Sequence, residues 1–155
     1  MMKAELTKPV LHAAAILLLA TAAATITWII APPADKGVCD PATLKEGEIC
    51  LQDIPPDKKV LWIDARSRSD WKKNGLPGSI LWNYDEGEDF NAMEAEAVMK
   101  IFETPYVVVY CADLGCATST KIAQHIRGLD ALNAEVHVLK GGWESLNAAQ
   151  AITGP

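Results

Sequence analysis

The chain has 155 residues, enough for one domain with a real core and too few for two ordinary ones. It carries fourteen Lys and Arg against twenty Asp and Glu, a formal net charge of −6. With no basic cluster to override it, that balance excludes nucleic-acid binding driven by a dense cationic surface.

From Pro9 to Ala34 there is no Lys, Arg, Asp or Glu, and Val10 to Ile30 is apolar apart from His12 and several threonines. As a helix rising 1.5 Å per residue, that run reaches roughly 30 Å, enough to cross a bilayer. Ile26, Trp28, Ile29 and Ile30 strengthen its far end, and Pro32 and Pro33 stop it. Lys3, Lys8 and the amino terminus outweigh Glu5, while Asp35 and Lys36 cancel on the other side. The expectation is an N-terminal hydrophobic helix, a membrane anchor or signal segment over residues 1–33. It contacts the membrane through residues 10–31 and leaves the domain on the extracytoplasmic side. Two alternatives stand beside it. One is a signal peptide cleaved near Ala20-Thr21-Ala22 or Ala22-Ala23-Ala24, releasing a secreted domain; the other is a buried helix of the fold. Without residues 1–33 the chain keeps twelve Lys and Arg against nineteen Asp and Glu, a formal charge of −7.

Residues 34–47 read as a linker. The four cysteines fall into two sequence pairs, Cys39 with Cys50 and Cys111 with Cys116. Disulfides persist in exported domains, and 39-CDPATLKEGEIC-50 is short, polar and loop-like, so a Cys39–Cys50 bridge is the structural expectation. Neither pair has the spacing of a structural zinc site, and no metal is expected.

Ile49 and Leu51 alternate into a short edge strand, which 55-PPDK-58 breaks. The run 60-VLWID-64 reads as a buried parallel strand ending on an aspartate at the loop edge of its sheet. Residues 67–74 predict one or two helical turns capped by Ser67 or Ser69 and anchored by Trp71. The turn 75-GLPGS-79 leads to a short strand, 80-ILWN-83, and then to a solvated acidic loop, 84-YDEGED-89. Met93, Ala97, Val98 and Ile101 recur at helical spacing within 91–102, with Asn91 as the N-cap. The clearest central strand is 106-YVVVYC-111. Beyond a loop, Ile122, Ala123, Ile126 and Leu129 mark a second long helix closed by Gly128. A strand at 136-VHVLK-140, Gly141 and Gly142, and a short helix over about 143–149 complete the pattern, with 151–155 as a tail. Short strands alternating with helices, without hairpin turns, predict an α/β domain over 48–150 around a mostly parallel sheet. Sites in such sheets lie beyond the carboxyl ends of the strands, the edge that Cys111 and Asp64 share.

The stretch 110-YCADLGCATS-119 concentrates the chemistry. A cysteine at the end of a central strand, followed by a loop curling into a helix, gains from backbone N–H groups that can face it. Such a nest stabilises a thiolate, a persulfide or a bound oxyanion. Gly115 suits a close approach, and Thr118 and Ser119 can cap the helix or donate to an anion. Two inert thiols, a reversible disulfide, and a nucleophile with a resolving partner in Cys116 all remain open. His12, His125 and His137 lie in an apolar segment, a helix and a strand, and none reads as a base or ligand. Neither a G-x-S-x-G elbow nor a phosphate-binding G-x-x-x-x-G-K loop is present.

The segments 60-VLWIDARSRSDW-71, 74-NGLPGSILWN-83, 107-VVVYCADLGCATS-119 and 138-VLKGGW-143 resemble, in order and spacing, a single-domain rhodanese-like protein. The resemblance implies a three-layer α/β domain with helices on both faces of the sheet. It also implies a loop cysteine that accepts sulfane sulfur from a small donor and passes it on as a persulfide. By position Cys111 is the nucleophile, with Ala112, Asp113, Leu114, Gly115, Cys116, Ala117 and Thr118 forming the loop that ends at Ser119. Asp64 and Arg66 match the rim pair that braces this loop, and Gly141, Gly142 and Trp143 match the closing turn beside it. The loop departs from the family's C-x-x-G-x-R-S. It is two residues longer, carries the second cysteine in C-x₄-C-x₂-S, and lacks the arginine that clamps an anionic donor. Gly75 stands where many members carry histidine. The leading expectation is sulfane-sulfur transfer by Cys111, with Cys116 as its redox partner, from a small sulfur donor to a thiol acceptor or partner protein, without cofactor. The alternatives are a thiol–disulfide redox or sensor role and a non-catalytic partner-binding module.

Overall fold

A computed structural model of the chain describes residues 39–112 and 117–153. The expected hydrophobic helix over 1–33 lies outside the described residues. Among the described residues no helix is long and apolar enough to cross a membrane.

Five strands, β1 (Glu48–Ile49), β2 (Leu61–Asp64), β3 (Ile80–Leu81), β4 (Tyr106–Tyr110) and β5 (Glu135–Leu139), form one sheet in the order β1-β5-β4-β2-β3. Every pairing is parallel. Among the described residues the α-helices are, in chain order, α1 (Arg68–Asn74), α2 (Phe90–Glu103), α3 (Ala117–Arg127) and α4 (Gly142–Thr153). Because all strands point the same way, their carboxyl ends form one rim.

The period-two pleat of β4 divides the core. Val107 and Val109 meet Met93, Ala97 and Ile101 of α2 and Ile122, Ala123 and Ile126 of α3 on one face. Tyr106, Val108 and Tyr110 meet Leu146 and Trp143 of α4 on the other. Helices on both faces bury β4 throughout, which is why its run is apolar without alternation. Each fully buried side chain of this kind contributes about 1.5–3 kcal/mol.

Ser67 caps α1, its hydroxyl accepting from Asp70 N at 3.2 Å. The cap of α2 is Asp89 rather than Asn91, its carboxylate accepting from Ala92 N at 3.0 Å. The helix starts early because Phe90 packs against Trp82 and His125 and is already helical. Leu51 does not continue β1 but opens a 3₁₀ turn, Leu51–Asp53. β3 ends at Leu81, while Trp82 and Asn83 stay fully buried beyond it. The last helix is longer than expected, its alanines carrying it to Thr153.

Residues 39–47 are fastened to the sheet edge. Gly47 O accepts from Val138 N at 2.9 Å, and Lys140 Nζ pairs with Glu48 at 2.9 Å. Cys39 and Cys50 form a disulfide with their Cα atoms 5.5 Å apart, and Cys50 is buried. Closing a loop of this length stabilises by about 2–4 kcal/mol, mainly by restricting the unfolded chain.

Candidate active site

Cys111 follows the last residue of β4, the most buried strand, at the carboxyl rim. Only 5% of it is exposed. The cysteine is disulfide-bonded. Cys39 and Cys50 bond one another, so the partner of Cys111 lies outside the described residues. Its Sγ lies 3.8 Å from Ala65 O. A disulfide sulfur carries no proton, so this approach is packing in the oxidised form. On reduction the same carbonyl is an acceptor for the thiol.

Asp113, Leu114, Gly115 and Cys116 lie outside the described residues, and with them most of the amides expected to face the sulfur. Ala112 is exposed on the near side of that stretch. Beyond it, α3 begins at Ala117, with Thr118 half-buried and Ser119 buried in its first turn.

Asp64 ends β2 beside Tyr110, with which it is paired in register. Its carboxylate is fully buried and accepts from four directions. Arg66 N and Nε donate to Oδ1 at 2.9 and 3.0 Å, and Arg66 Nη2 and Tyr110 Oη donate to Oδ2, both at 2.7 Å. Arg66 Nη1 donates to Asn74 Oδ1 at 3.0 Å, and Asn83 Nδ2 donates to Arg66 O at 2.7 Å. The strand end, the start of α1, its last residue and the exit of β3 are thereby joined around one buried ion pair. Burial works against the charge of Arg66, but the hydrogen bonds and charge of Asp64 outweigh it and hold the guanidinium above its usual value.

Tyr110 completes the cluster. Its hydroxyl donates to Asp64 and accepts from Leu76 N at 3.2 Å, fastening the turn after α1. Burial, with the Asp64 carboxylate acting in the same direction, pushes the phenol up from 10.0 to about 12. A folded-state value above the unfolded one means that stability is fully present below the unfolded value and lost as pH rises through the folded value. Alkaline unfolding is therefore expected to set in above pH 10 and to deepen through about pH 12. Tyr110→Phe should remove that component of a denaturant-monitored pH series. An unchanged alkaline limb would show that the phenol does not govern it.

The closing turn reaches Cys111 through its backbone. Trp143 N donates to Cys111 O at 2.7 Å. Gly141 and Gly142 adopt φ of +77° and +51°, and a Cβ on Gly142 would collide with the Cys111 carbonyl oxygen. The Trp143 ring lies over Arg66, whose Cζ is 4.3 Å from the ring centroid, and sits 6.2 Å from Tyr110. Asp64, Arg66, Gly141, Gly142 and Trp143 are thus brought together beside Cys111.

Sequence reasoning missed Tyr110, Asn74 and Asn83 as members of this cluster. Tyr110 left a signal, a polar head on the last residue of an apolar strand; the two asparagines left none. His125 and His137 stand apart from Cys111 in their partners. His125 contacts Glu94 at 3.1 Å and packs against Trp82 and Phe90, and His137 contacts Glu135 at 3.1 Å. Among the described residues no group of acidic, His or Cys side chains could hold a metal ion.

The rim cations are engaged by acids: Arg66 by Asp64, Arg68 by Glu88 and Lys140 by Glu48. What the arrangement can do chemically is therefore centred on sulfur, at the end of a strand whose neighbours are fixed by a buried ion pair.

The family model described as the rhodanese-like domain matches residues 50–149. Nothing among curated proteins matches the chain. Among solved structures, the N-terminal domain of a protein described as ATP/GTP binding, from Clostridium difficile 630, is 17% identical with a TM-score of 0.44. That match covers 66% of this chain and 97% of the other. The BH2092 protein from Bacillus halodurans is 19% identical with a TM-score of 0.46, over 59% of this chain and 60% of its own. With the family model spanning well over half of its length, and the parallel sheet and helices of that fold in place, the chain belongs to the rhodanese-like domain family.

Proposed function

We propose that the domain carries sulfane sulfur as a persulfide on Cys111 and that Cys116 releases it. The observation that carries this reading is the disulfide-bonded state of Cys111 at the carboxyl end of β4 in a rhodanese-like domain. Membership of the family supports sulfur transfer in general. The bonded cysteine supports a cycle that ends in a disulfide, and Cys116 is the remaining cysteine of the chain.

In the first step the Cys111 thiolate attacks the sulfane sulfur of a persulfide or polysulfide donor, and the donor leaves as its shorter thiolate. Cys116 then attacks Sγ of Cys111, breaking the bond to the outer sulfur. That sulfur takes two electrons and the Cys116 proton and leaves as hydrosulfide, while the two cysteines are oxidised to their disulfide. A dithiol reductant resets the pair. Thiosulfate, a dianion, is a poor donor here, because the loop lacks the family's arginine and the rim cations are already paired.

The test uses the full chain in detergent, with Cys111 reduced under mild conditions that leave the Cys39–Cys50 bridge, whose Cys50 is buried, closed. The chain is then freed of reductant and given polysulfide. Cys116→Ser should accumulate a reductant-sensitive gain of about 32 Da on Cys111, while wild type releases hydrosulfide and loses two hydrogens. Cys111→Ser should do neither. Loss of two hydrogens in wild type, with no adduct on Cys116→Ser, would instead favour thiol–disulfide exchange, the second reading that the bonded Cys111 supports. An unreactive Cys111 would sink both and leave a partner-binding module.

The same proposal sets the domain outside the cytoplasm, tethered through residues 10–31 or released by signal cleavage. The apolar run in the sequence and the Cys39–Cys50 disulfide support it, since such bonds persist in oxidising compartments. Digestion of the domain by protease added to intact spheroplasts would support that side, and protection until lysis would overturn it.

A further inference from the structure

Trp143, far from Cys111 in sequence, touches both the buried ion pair and the backbone of Cys111. Its N–H holds the Cys111 carbonyl at 2.7 Å, and its ring lies 4.3 Å from the Arg66 guanidinium carbon. Arg66 is in turn fixed by Asp64 and Asn74 and is only 6% exposed, so the indole rests on an immobile cation. The positive φ of Gly141 and Gly142 lets this turn approach Cys111 so closely. The carbonyl that Trp143 grips belongs to the peptide leading out of Cys111, so the grip fixes both the direction of the chain and the placement of Sγ.

We propose that Trp143, held by Arg66, is a positioning residue for Cys111 and sets how readily the Cys111 disulfide is reduced. The idea rests on the thiol chemistry proposed above for the Cys111–Cys116 pair. An intramolecular disulfide is as stable as its two sulfurs are concentrated at one another. Fixing the Cys111 end narrows the positions of its sulfur and raises that effective concentration. Releasing the indole widens them, and reduction by two external thiols becomes easier. The exchange is balanced: two glutathione molecules give up two electrons and two protons, the cysteines become thiols, and glutathione disulfide forms. A desolvated guanidinium–indole contact is strong enough to shift such an equilibrium by about tenfold.

The experiment equilibrates the full chain in detergent with mixtures of reduced and oxidised glutathione. It then traps thiols by alkylation and measures the reduced fraction of the Cys111 peptide by mass. Trp143→Leu should be half-reduced at about a tenfold lower ratio of squared glutathione to its disulfide, a rise of about 30 mV. Trp143→Phe keeps an aromatic face over Arg66 and should stay within about threefold of wild type. Arg66→Lys keeps the charge but loses the planar surface, and should move in the same direction as Trp143→Leu; it carries the test if the leucine variant does not fold. A folded Trp143→Leu or Arg66→Lys with a lower melting temperature but the wild-type potential would overturn the proposal and leave a purely structural role. So would a phenylalanine variant displaced as far as leucine. Failure of sulfane-sulfur transfer is read separately, in the polysulfide mass assay, and does not alter this titration.

Discussion

Asp64→Ala is expected to destabilise the domain by about 3–5 kcal/mol, because it leaves the Arg66 charge buried and unpaired. The side chains of the pair are 4% and 0% exposed, so water cannot replace the carboxylate without opening the rim. The loss extends past the ion pair. Tyr110 Oη would lose its acceptor, and the Arg66 backbone N–H would lose the oxygen that turns the chain out of β2 into α1. An exposed pair of similar geometry would contribute little, as expected for Arg68 with Glu88, where the arginine side chain is 44% exposed. Urea unfolding of Asp64→Ala and of the double variant with Arg66→Leu checks the cause. If the cost lies in an orphaned charge, removing Arg66 as well should restore part of the loss, and the two single effects should not add. A loss below about 1 kcal/mol would mean the rim relaxes to admit water, and the buried pair would then not organise the site.

Such a cluster is hard to read from sequence because its members make contact only after the sheet has formed. The strands were legible because their apolar runs are local: 60-VLWID-64 and 106-YVVVYC-111 become β2 and β4 within a residue or two. The carboxyl-rim location of Asp64 and Cys111 followed from parallel topology alone. By contrast, Trp143 meets Arg66 across most of the domain, and no spacing in the sequence announces a ring over a guanidinium. Tyr110 was hidden in plain view, counted as a strand former when its phenol end joins Asp64 to Leu76. The helix caps failed in a smaller way. Asp89 and Asn91 are both good caps, and packing of Phe90 chose between them. The alternation of Ile49 and Leu51 suggested a longer edge strand, but the chain turns after Cys50 as the disulfide draws it toward Cys39.

The second large effect concerns one hydrogen atom's worth of space. Gly142→Ala places a methyl where the Cys111 carbonyl oxygen sits, and backbone cannot move aside as a flexible side chain can. The left-handed φ of +51° adds strain for any residue with a Cβ, about 1–3 kcal/mol. Under the proposed cycle, a displacement of Cys111 by about an ångström should lower hydrosulfide release by about 100-fold. Gly141→Ala is the matched comparison. Its φ of +77° makes it comparably strained, yet its methyl would meet the Ser145 hydroxyl rather than Cys111, and that side chain can turn away. Both variants should lose the stability that left-handed strain costs, and Gly142→Ala somewhat more in urea because its clash is with backbone. Sulfur release should fall far more in Gly142→Ala than that difference in stability accounts for. Equal losses of release in the two would mean that the turn acts through strain alone. A gap between them of one to two orders of magnitude would show that the closing turn works by holding the cysteine backbone in place.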